Sequence, residues 1–267
     1  MNYEELFREA VASAGTSPPC FAFSIHKAGS SMLSGMVQAA CRQAGIPALS
    51  VPGALGRKGV ADKQWMRDAA LVPYFRHGLV YYGFRSFPPV LAEPDVDIRS
   101  RKCVLLIRDP RDALVSEFYS FGGPWGSHRV PKENSEAALK RRAARPEYGK
   151  PIDEYVLAAA FRHQHKLAVY RKHLNFDNTL VRKYEDVYFD KLKFLTEVFA
   201  HFGITVDTAT LKRAAERNDI RPEQEDPSKH IRKGTPGDHR EKLKPETIQQ
   251  LNELFRQICS WYGYTLE

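Results

Sequence analysis

The sequence predicts an α/β fold with a central parallel sheet of about five strands and helices on both faces. Short apolar runs of strand length alternate along the chain with longer segments whose apolar residues recur at helical spacing. Several of these runs lead into loops with charged or small residues, as strands of open α/β sheets do where they bind ligands. The candidate site residues are spread along almost the whole chain, so we expect a single domain over residues 1–267.

The first part of the chain supplies three of the expected strands. Its predicted elements are, in order, a helix over 2–14, a strand over 20–25, a helix over 31–44, a strand over 46–51, a loop over 52–59, a helix over 63–75 and a strand over 79–84. The helix over 31–44 is the clearest of these, because Leu33, Met36 and Val37 fall on one apolar stripe.

The second part supplies two more strands, over 102–107 and 179–183, and a closing helix that begins near Pro245. A helix with a buried stripe is expected to begin at Pro110. Residues 122–150 interrupt the alternation and predict either a lid or substrate wall, or a disordered surface excursion. Residues 218–242 are rich in charge, proline and glycine and predict a loop that orders on a ligand.

Composition narrows the class of protein. No apolar stretch reaches the roughly 18 residues that a membrane-spanning helix needs, and the N-terminus does not resemble a signal peptide, so we expect a cytoplasmic protein. The cysteines are far apart and flanked by apolar residues, which favours reduced core thiols and no metal site. The formal charge of +8 indicates an anionic partner without identifying it.

The first candidate site follows the strand over 20–25. Its loop and helix start carry one lysine, one glycine and two hydroxyls in the run Lys27, Ala28, Gly29, Ser30, Ser31 and Met32. Small residues at a helix N-terminus let an anion approach the backbone N–H groups, and Lys27 adds a full charge. The lysine precedes the glycine, which is not the order of the common nucleotide-binding loop.

The second candidate site follows the strand over 102–107. Arg108 ends this strand, and Ser116 lies eight residues further on, within the helix expected from Pro110. A third segment, Arg232-Lys233-Gly234, lies in the loop before the closing helix, and a fourth, Tyr184-Glu185-Asp186, follows the last strand. Each segment alone is weak evidence, because an arginine at a strand end or a basic pair in a loop is commonly a solvated surface feature.

Together, and in this order, the four segments resemble the donor-binding motifs of sulfotransferases that use 3′-phosphoadenosine 5′-phosphosulfate (PAPS). The resemblance spans about residues 20 to 263 and implies a P-loop-NTPase-like sulfotransferase fold. It implies transfer of a sulfuryl group from PAPS to a hydroxyl or amine, leaving adenosine 3′,5′-bisphosphate. We predict a carbohydrate or small-molecule acceptor, and a lipid or a peptide tyrosine stays open. The partners expected are therefore this cofactor and an acceptor, with no nucleic acid and no membrane span; the oligomeric state is not predicted.

The resemblance also implies roles for single residues. Residues 27–32 would hold the 5′-phosphosulfate, with Lys27 compensating charge on the leaving phosphate. The 3′-phosphate would be held by the set Arg108, Ser116, Arg232, Lys233 and Gly234. Tyr184 would lie near the adenine, while Met32 stands in place of the family's usual tryptophan.

The catalytic base is where the sequence departs from the family pattern. The family's histidine position after the third strand is occupied by Phe87, which cannot accept a proton. Arg85, two residues earlier, could stabilise the transferring charge or form a surface ion pair. His26, next to Lys27, is the first choice as the base, and Asp62 and His77 are the alternatives.

Two other functions stay open at this point. A P-loop kinase or NTPase using Mg-ATP would use Asp109, after the strand over 102–107, to hold magnesium. A nucleic-acid-binding protein would use the positive charge, but the basic residues are not interleaved with aromatic residues in a recognisable module.

Overall fold

The computed structural model describes residues 1–123, 135–226, 229 and 231–266. The chain forms two compact units. The first comprises residues 1–107 and 169–219, and the second comprises residues 108–168 and 220–267. That the whole chain acts as one domain stays a prediction.

The first unit contains a five-stranded sheet in the order β2-β3-β1-β4-β5, in which every neighbouring pair is parallel. The strands are β1 (Cys20–Ser24), β2 (Ala48–Leu49), β3 (Val80–Phe84), β4 (Lys102–Ile107) and β5 (Thr179–Lys183). This confirms the predicted parallel sheet. Because all strands run the same way, the residues that follow β1, β3 and β5 emerge at one edge of the sheet.

Helices account for most of the rest of the described chain. They are α1 (Tyr3–Ala12), α2 (Ser30–Ala44), α3 (Val51–Arg57), α4 (Asp62–Trp65), α5 (Pro110–Phe121), α6 (Ser135–Ala143), α7 (Ile152–His173), α8 (Tyr184–Phe189), α9 (Lys191–Phe202), α10 (Thr208–Arg217), α11 (Asp238–Lys242) and α12 (Pro245–Tyr262). Short 3₁₀ helices cover Ala69–Phe75, Pro89–Ala92, Ile98–Ser100 and Phe176–Asn178.

Both faces of the sheet are buried. On one face, strand residues such as Ala22 and Val104 join a core with Met36 of α2 and Val198 of α9. The other face is aromatic: the Phe21 and Tyr81 rings stack with centroids 5.0 Å apart. Alternate strand residues therefore fill two cores, one on each face of the sheet.

The region after α2 differs from the sequence prediction. The strand expected over 46–51 is only the two residues of β2, and the loop expected over 52–59 is largely the helix α3. The reason is Ser50, whose Oγ accepts a hydrogen bond from the Gly53 N–H and caps α3. Pro52 lies in the first turn, where a proline N–H is not needed, so it favours this helix start rather than a loop.

The helix expected over 63–75 is also divided. It forms the short α4 and then the 3₁₀ helix Ala69–Phe75. Asp68 separates them, because its side chain accepts from the Ala70 N–H and caps the second segment. The other predicted strands and the closing helix agree with the structure to within one residue at each end described.

Two predicted segments lie partly outside the described residues. Of the insertion over 122–150, residues 124–134 are not described, and the described remainder includes α6. Of the loop over 218–242, residues 227, 228 and 230 are not described, and its end forms α11. The predicted lid, and the ordering of the second loop on a ligand, stay predictions.

The second unit packs around α5. Arg111 of α5 donates from Nη1 to Oδ1 of Asn252 on α12 at 2.7 Å, and the rings of Phe118 and Tyr155 contact edge to face. Glu117 is buried and accepts hydrogen bonds from Arg162 at 2.7 Å and from Tyr155 at 3.2 Å. These contacts fix α5, which carries the predicted site residue Ser116.

Two expectations from composition can be compared with the described structure. No described helix has both the length and the apolar character needed to cross a membrane. All four cysteines are buried and free, and burial raises the pKa of the Cys41 thiol to about 12. These thiols are therefore apolar core side chains.

Candidate active site

The loop between β1 and α2 has an unusual backbone. Lys27 and Gly29 both lie in the left-handed region, with φ of 65° and 80°. For lysine this conformation costs roughly 1–2 kcal/mol, and such strain is concentrated at functional sites. The predicted loop and helix start around Lys27 are present in the structure, and their binding of a phosphosulfate stays a prediction.

Gly29 cannot be replaced without disturbing its neighbours. A Cβ atom on this residue would lie 2.8 Å from Cδ2 of Tyr184 and 3.2 Å from Cε of Met32. The Tyr184 ring therefore packs directly on the turn, although 155 residues separate the two positions in sequence. The structure brings the first and fourth predicted segments together.

The start of α2 presents backbone N–H groups at this turn. Gly29 occupies the N-cap position without a side-chain cap, and the first turn of α2 contains no acidic residue. The first N–H groups of a helix have no partner within the helix, and the helix dipole makes this end attractive to anions. Ala28 is completely buried, so it offers only its backbone, whereas the Ser31 side chain is exposed.

His26 connects this loop to the end of β3. Its Nδ1 lies 3.1 Å from the carbonyl oxygen of Arg85. A carbonyl only accepts hydrogen bonds, so Nδ1 carries the proton and Nε2 of the neutral ring is the basic nitrogen. Two of the predicted catalytic residues are therefore in direct contact.

A cavity of about 400 Å³ opens beside the same loop in the first unit. Its lining includes Ser31 from the start of α2 and Arg85 from the end of β3. Asp62, at the start of α4, also contributes to the wall, and its Oδ1 accepts a hydrogen bond from Trp65 Nε1 at 3.3 Å. Most other lining residues are small or polar: Ser34, Gly35, Gln38, Ser50, Gly53, Gly83 and Ser86.

In the second unit, Arg108 is buried, with a relative exposure of 6%. Its Nη2 donates to the carbonyl of Thr235 at 3.5 Å and lies 3.6 Å from Oδ2 of Asp112. Ser116 is half-buried on α5. Arg108 therefore contacts the loop that carries the third predicted segment.

That third segment is already engaged in ion pairs. Arg232 contacts Glu225 and Asp238, and its guanidinium lies 4.0 Å from the centre of the Tyr119 ring. Lys233 binds Glu241 at 2.6 Å. Gly234 has a φ of 78°, which suits glycine. In this structure the two basic side chains contact acidic side chains.

Asp112 is a central residue that the sequence analysis did not select. Its carboxylate accepts from the N–H groups of Gly237, at 2.6 Å, and of His239, at 2.9 Å. Burial would raise its pKa, but the hydrogen bond from His239 and the charge of Arg108 outweigh burial and hold the pKa well below its usual value. The one signal in the sequence was its position four residues after Arg108, in the first turn of the helix expected from Pro110.

Asp109 has contacts that do not suit the magnesium role considered for a kinase. Its Oδ1 caps α5 by accepting from the Arg111 N–H at 2.9 Å. The Arg111 guanidinium also binds both carboxylate oxygens, at 3.0 and 2.6 Å. A carboxylate held this way is a structural cap for α5.

Comparison with known proteins identifies the family. The family model described as "Sulfotransferase domain" matches residues 86–263, more than half of the chain. The match begins after β3 and does not include the loop around Lys27. The geometry of that loop is therefore evidence independent of the family match. No curated protein sequence matches the chain.

Two solved structures resemble the chain at low identity. The mouse sulfotransferase SULT7A1, complexed with PAP, is 16% identical with a TM-score of 0.56, and the match covers 97% of this chain and 90% of that one. A retinol dehydratase complexed with retinol and PAP is 16% identical with a TM-score of 0.46, and covers 96% and 86%. The first likeness supports the fold, and the second is too weak to carry an argument.

Proposed function

The chain belongs to the sulfotransferase domain family, and from this premise we propose that it transfers a sulfuryl group from PAPS to a hydroxyl or amine of an acceptor. The observation that carries the proposal is the turn at Lys27 and Gly29, which ends at the uncapped start of α2 beneath the Tyr184 ring. Chains of this family are PAPS-dependent enzymes, and the product is adenosine 3′,5′-bisphosphate.

The 5′-phosphosulfate binds at the turn. The N–H groups from Gly29 to Met32 donate to the phosphate, with the hydroxyls of Ser30 and Ser31 beside them. Lys27 compensates the negative charge that develops on the leaving phosphate oxygen. Ala28 contributes only its backbone, and Tyr184 lies near the adenine.

The 3′-phosphate binds to residues of the second unit. Arg108 supplies a buried guanidinium, and Ser116 supplies a hydroxyl from α5. Arg232 and Lys233 exchange part of their contacts with acidic side chains for contacts with this phosphate, and Gly234 allows its close approach.

During transfer, the acceptor oxygen forms a bond to sulfur while the bond from sulfur to the 5′-phosphate oxygen breaks. The acceptor proton must be removed, and His26 is the proposed base because its Nδ1 proton is held by the Arg85 carbonyl. The proton then goes to Nε2. The Arg85 side chain is exposed beside this loop and stabilises the charge on the transferring group.

The cavity beside the loop is the proposed acceptor site. Its volume of about 400 Å³ suits a compact molecule. Hydroxyl, amide, carboxylate and guanidinium groups from Ser34, Gln38, Asp62 and Arg85 line it, which favours a sugar-like or other polyhydroxylated acceptor over a long hydrocarbon. Asp62 is the alternative base, since it lies in the wall of this cavity.

Calorimetric titration with adenosine 3′,5′-bisphosphate and, separately, with Mg-ATP tests the proposal. We expect the bisphosphate to bind in the absence of divalent metal, and Mg-ATP to bind more weakly. Tight binding of Mg-ATP together with no binding of the bisphosphate would favour the kinase instead.

A further inference from the structure

His239 forms a buried pair with Asp112 in the second unit. The His239 ring donates from Nδ1 to Oδ1 of Asp112 at 2.6 Å, and its side chain is only 3% exposed. The Asp112 carboxylate also holds the backbone of this segment through the N–H groups of Gly237 and His239. The imidazole is therefore fixed in one orientation by its own turn.

Two polar atoms in this segment are buried without a hydrogen-bond partner among the described residues. They are Nε2 of His239 and the hydroxyl oxygen of Thr235. Leaving a buried polar atom unsatisfied costs free energy, and most such atoms in folded proteins have a partner. Two such atoms within five residues of one segment indicate a site for a ligand rather than two separate defects.

The charges around these atoms specify an anion. Asp112 binds the His239 ring through Oδ1, while the Arg108 guanidinium lies 3.6 Å from its Oδ2. The imidazole and the guanidinium thus flank the same carboxylate. Because Nδ1 already donates to Asp112, the ring can bind an anion through Nε2 only as a second N–H donor.

We propose that His239 and Thr235 are additional ligands of the donor's 3′-phosphate. His239 donates from Nε2 and Thr235 from its hydroxyl, beside Arg108, and Asp112 positions both the ring and the turn. This inference rests on the proposed function, because it requires that Arg108 binds the 3′-phosphate. It adds two residues that the sequence motifs did not select.

The test compares two ligands that differ only in the 3′-phosphate. Adenosine 3′,5′-bisphosphate and adenosine 5′-phosphate are titrated calorimetrically into the wild type, His239→Asn and Thr235→Val. Asparagine retains a donor for Asp112 but has nothing at the Nε2 position, and valine replaces the hydroxyl with a methyl of similar size. Thr196→Val is the matched control, since Thr196 is exposed and its hydroxyl donates to the Leu192 carbonyl within α9.

We expect bisphosphate affinity to fall roughly 10- to 100-fold in His239→Asn and about 5-fold in Thr235→Val, as for loss of a charge-assisted and a neutral hydrogen bond. Affinity for the 5′-phosphate should change less than about twofold in each, and Thr196→Val should change neither affinity. Equal losses with both ligands, or unchanged bisphosphate affinity, would overturn the inference.

Two further outcomes are separable. If circular dichroism shows that His239→Asn does not fold, the bisphosphate affinity of Thr235→Val alone tests the inference. This variant should fold, because a hydroxyl-to-methyl change preserves the packing. If the wild type does not prefer the bisphosphate over the 5′-phosphate, the proposed function fails and the inference fails with it. A wild type with that preference and unaffected variants refutes the inference alone.

Discussion

At the scale of single residues, Lys27 and Arg108 carry the charges on which donor binding depends. We predict that Lys27→Ala and Arg108→Ala each weaken binding of adenosine 3′,5′-bisphosphate by about 1.5–3 kcal/mol, the usual size of a charge-assisted hydrogen bond. Calorimetry measures the loss. Lys140→Ala is the charge-matched control, because the Lys140 side chain is 77% exposed on α6 and should leave the affinity unchanged. Wild-type affinity in either site variant would remove that residue from the site.

The base is the second question at this scale. If His26 removes the acceptor proton, His26→Ala should lower turnover by roughly 10²–10⁴-fold and leave bisphosphate affinity nearly intact. Asp62→Asn is the companion variant, since Asp62 lines the cavity proposed for the acceptor. Turnover assays on both variants separate the two: a large loss in Asp62→Asn with near-normal turnover in His26→Ala would transfer the role to Asp62.

The residues of the site differ in how far the sequence could predict them. Lys27, Gly29 and Tyr184 lie in short motifs, and the structure brings them together. Asp112 and His239 have no local signal of comparable strength, because their hydrogen bond joins positions 127 residues apart. The ion pairs of Arg232 with Glu225 and Asp238 were missed because a basic motif does not reveal which acidic side chains fold beside it.

At the scale of elements, the start of α2 depends on the glycine before it. Gly29→Ala would strain a left-handed backbone and place a Cβ against Tyr184. Gly45 caps the other end of α2 with a φ of 66°, and a Cβ added there would meet no atom within 4 Å. Gly45→Ala therefore reproduces the strain without the clash.

We predict that Gly45→Ala lowers the free energy of unfolding by about 1 kcal/mol and leaves bisphosphate affinity unchanged. Gly29→Ala should lower both the free energy of unfolding and the affinity. Urea unfolding and calorimetry provide the two measurements. The proposed role of the turn would be contradicted if Gly29→Ala bound the bisphosphate as well as Gly45→Ala does.

The sequence predicted some helices and strands with their observed bounds and did not predict others. The strands β4 and β5 contain apolar or β-branched runs, over 103–107 and 179–181, and their observed bounds equal the predicted ones. The helix α3 was missed because Pro52 and Gly53 favour a loop on composition alone. Ser50, two residues before Pro52, caps the helix start through a single hydrogen bond from the Gly53 N–H, which the composition of the segment does not reveal.

At the scale of the whole molecule, buried carboxylates make stability depend on pH. Burial would raise the pKa of Glu117, but the charge and hydrogen bond of His163 and the nearby Lys166 and Arg162 hold it well below its usual value. A carboxyl whose folded pKa is lowered contributes stability that is complete above the unfolded pKa, about 4.3, and is lost as pH falls toward the folded pKa. The pKa of Asp112 is also held below its usual value, so protonation of Asp112 at low pH lowers the folding stability as well.

We therefore predict that the free energy of unfolding falls steeply below about pH 4. Glu117→Gln should be less stable than the wild type at pH 7, and the difference should shrink as the pH is lowered. Urea unfolding at pH 7 and at pH 3 checks this. A difference that is equal at both pH values would show that the Glu117 charge contributes nothing to folding stability.

The most direct measurement of the central claim follows radioactive sulfur from labelled PAPS to a panel of hydroxylated acceptors, including simple sugars and a phenol, with EDTA present. We predict label transfer to a sugar-like acceptor that survives EDTA and is strongly reduced in Lys27→Ala, because the transferring group carries one negative charge and Lys27 with the loop amides compensates the leaving phosphate. No transfer of sulfur to any acceptor in EDTA with transfer restored by magnesium, or transfer by Lys27→Ala at the wild-type rate, would contradict the account.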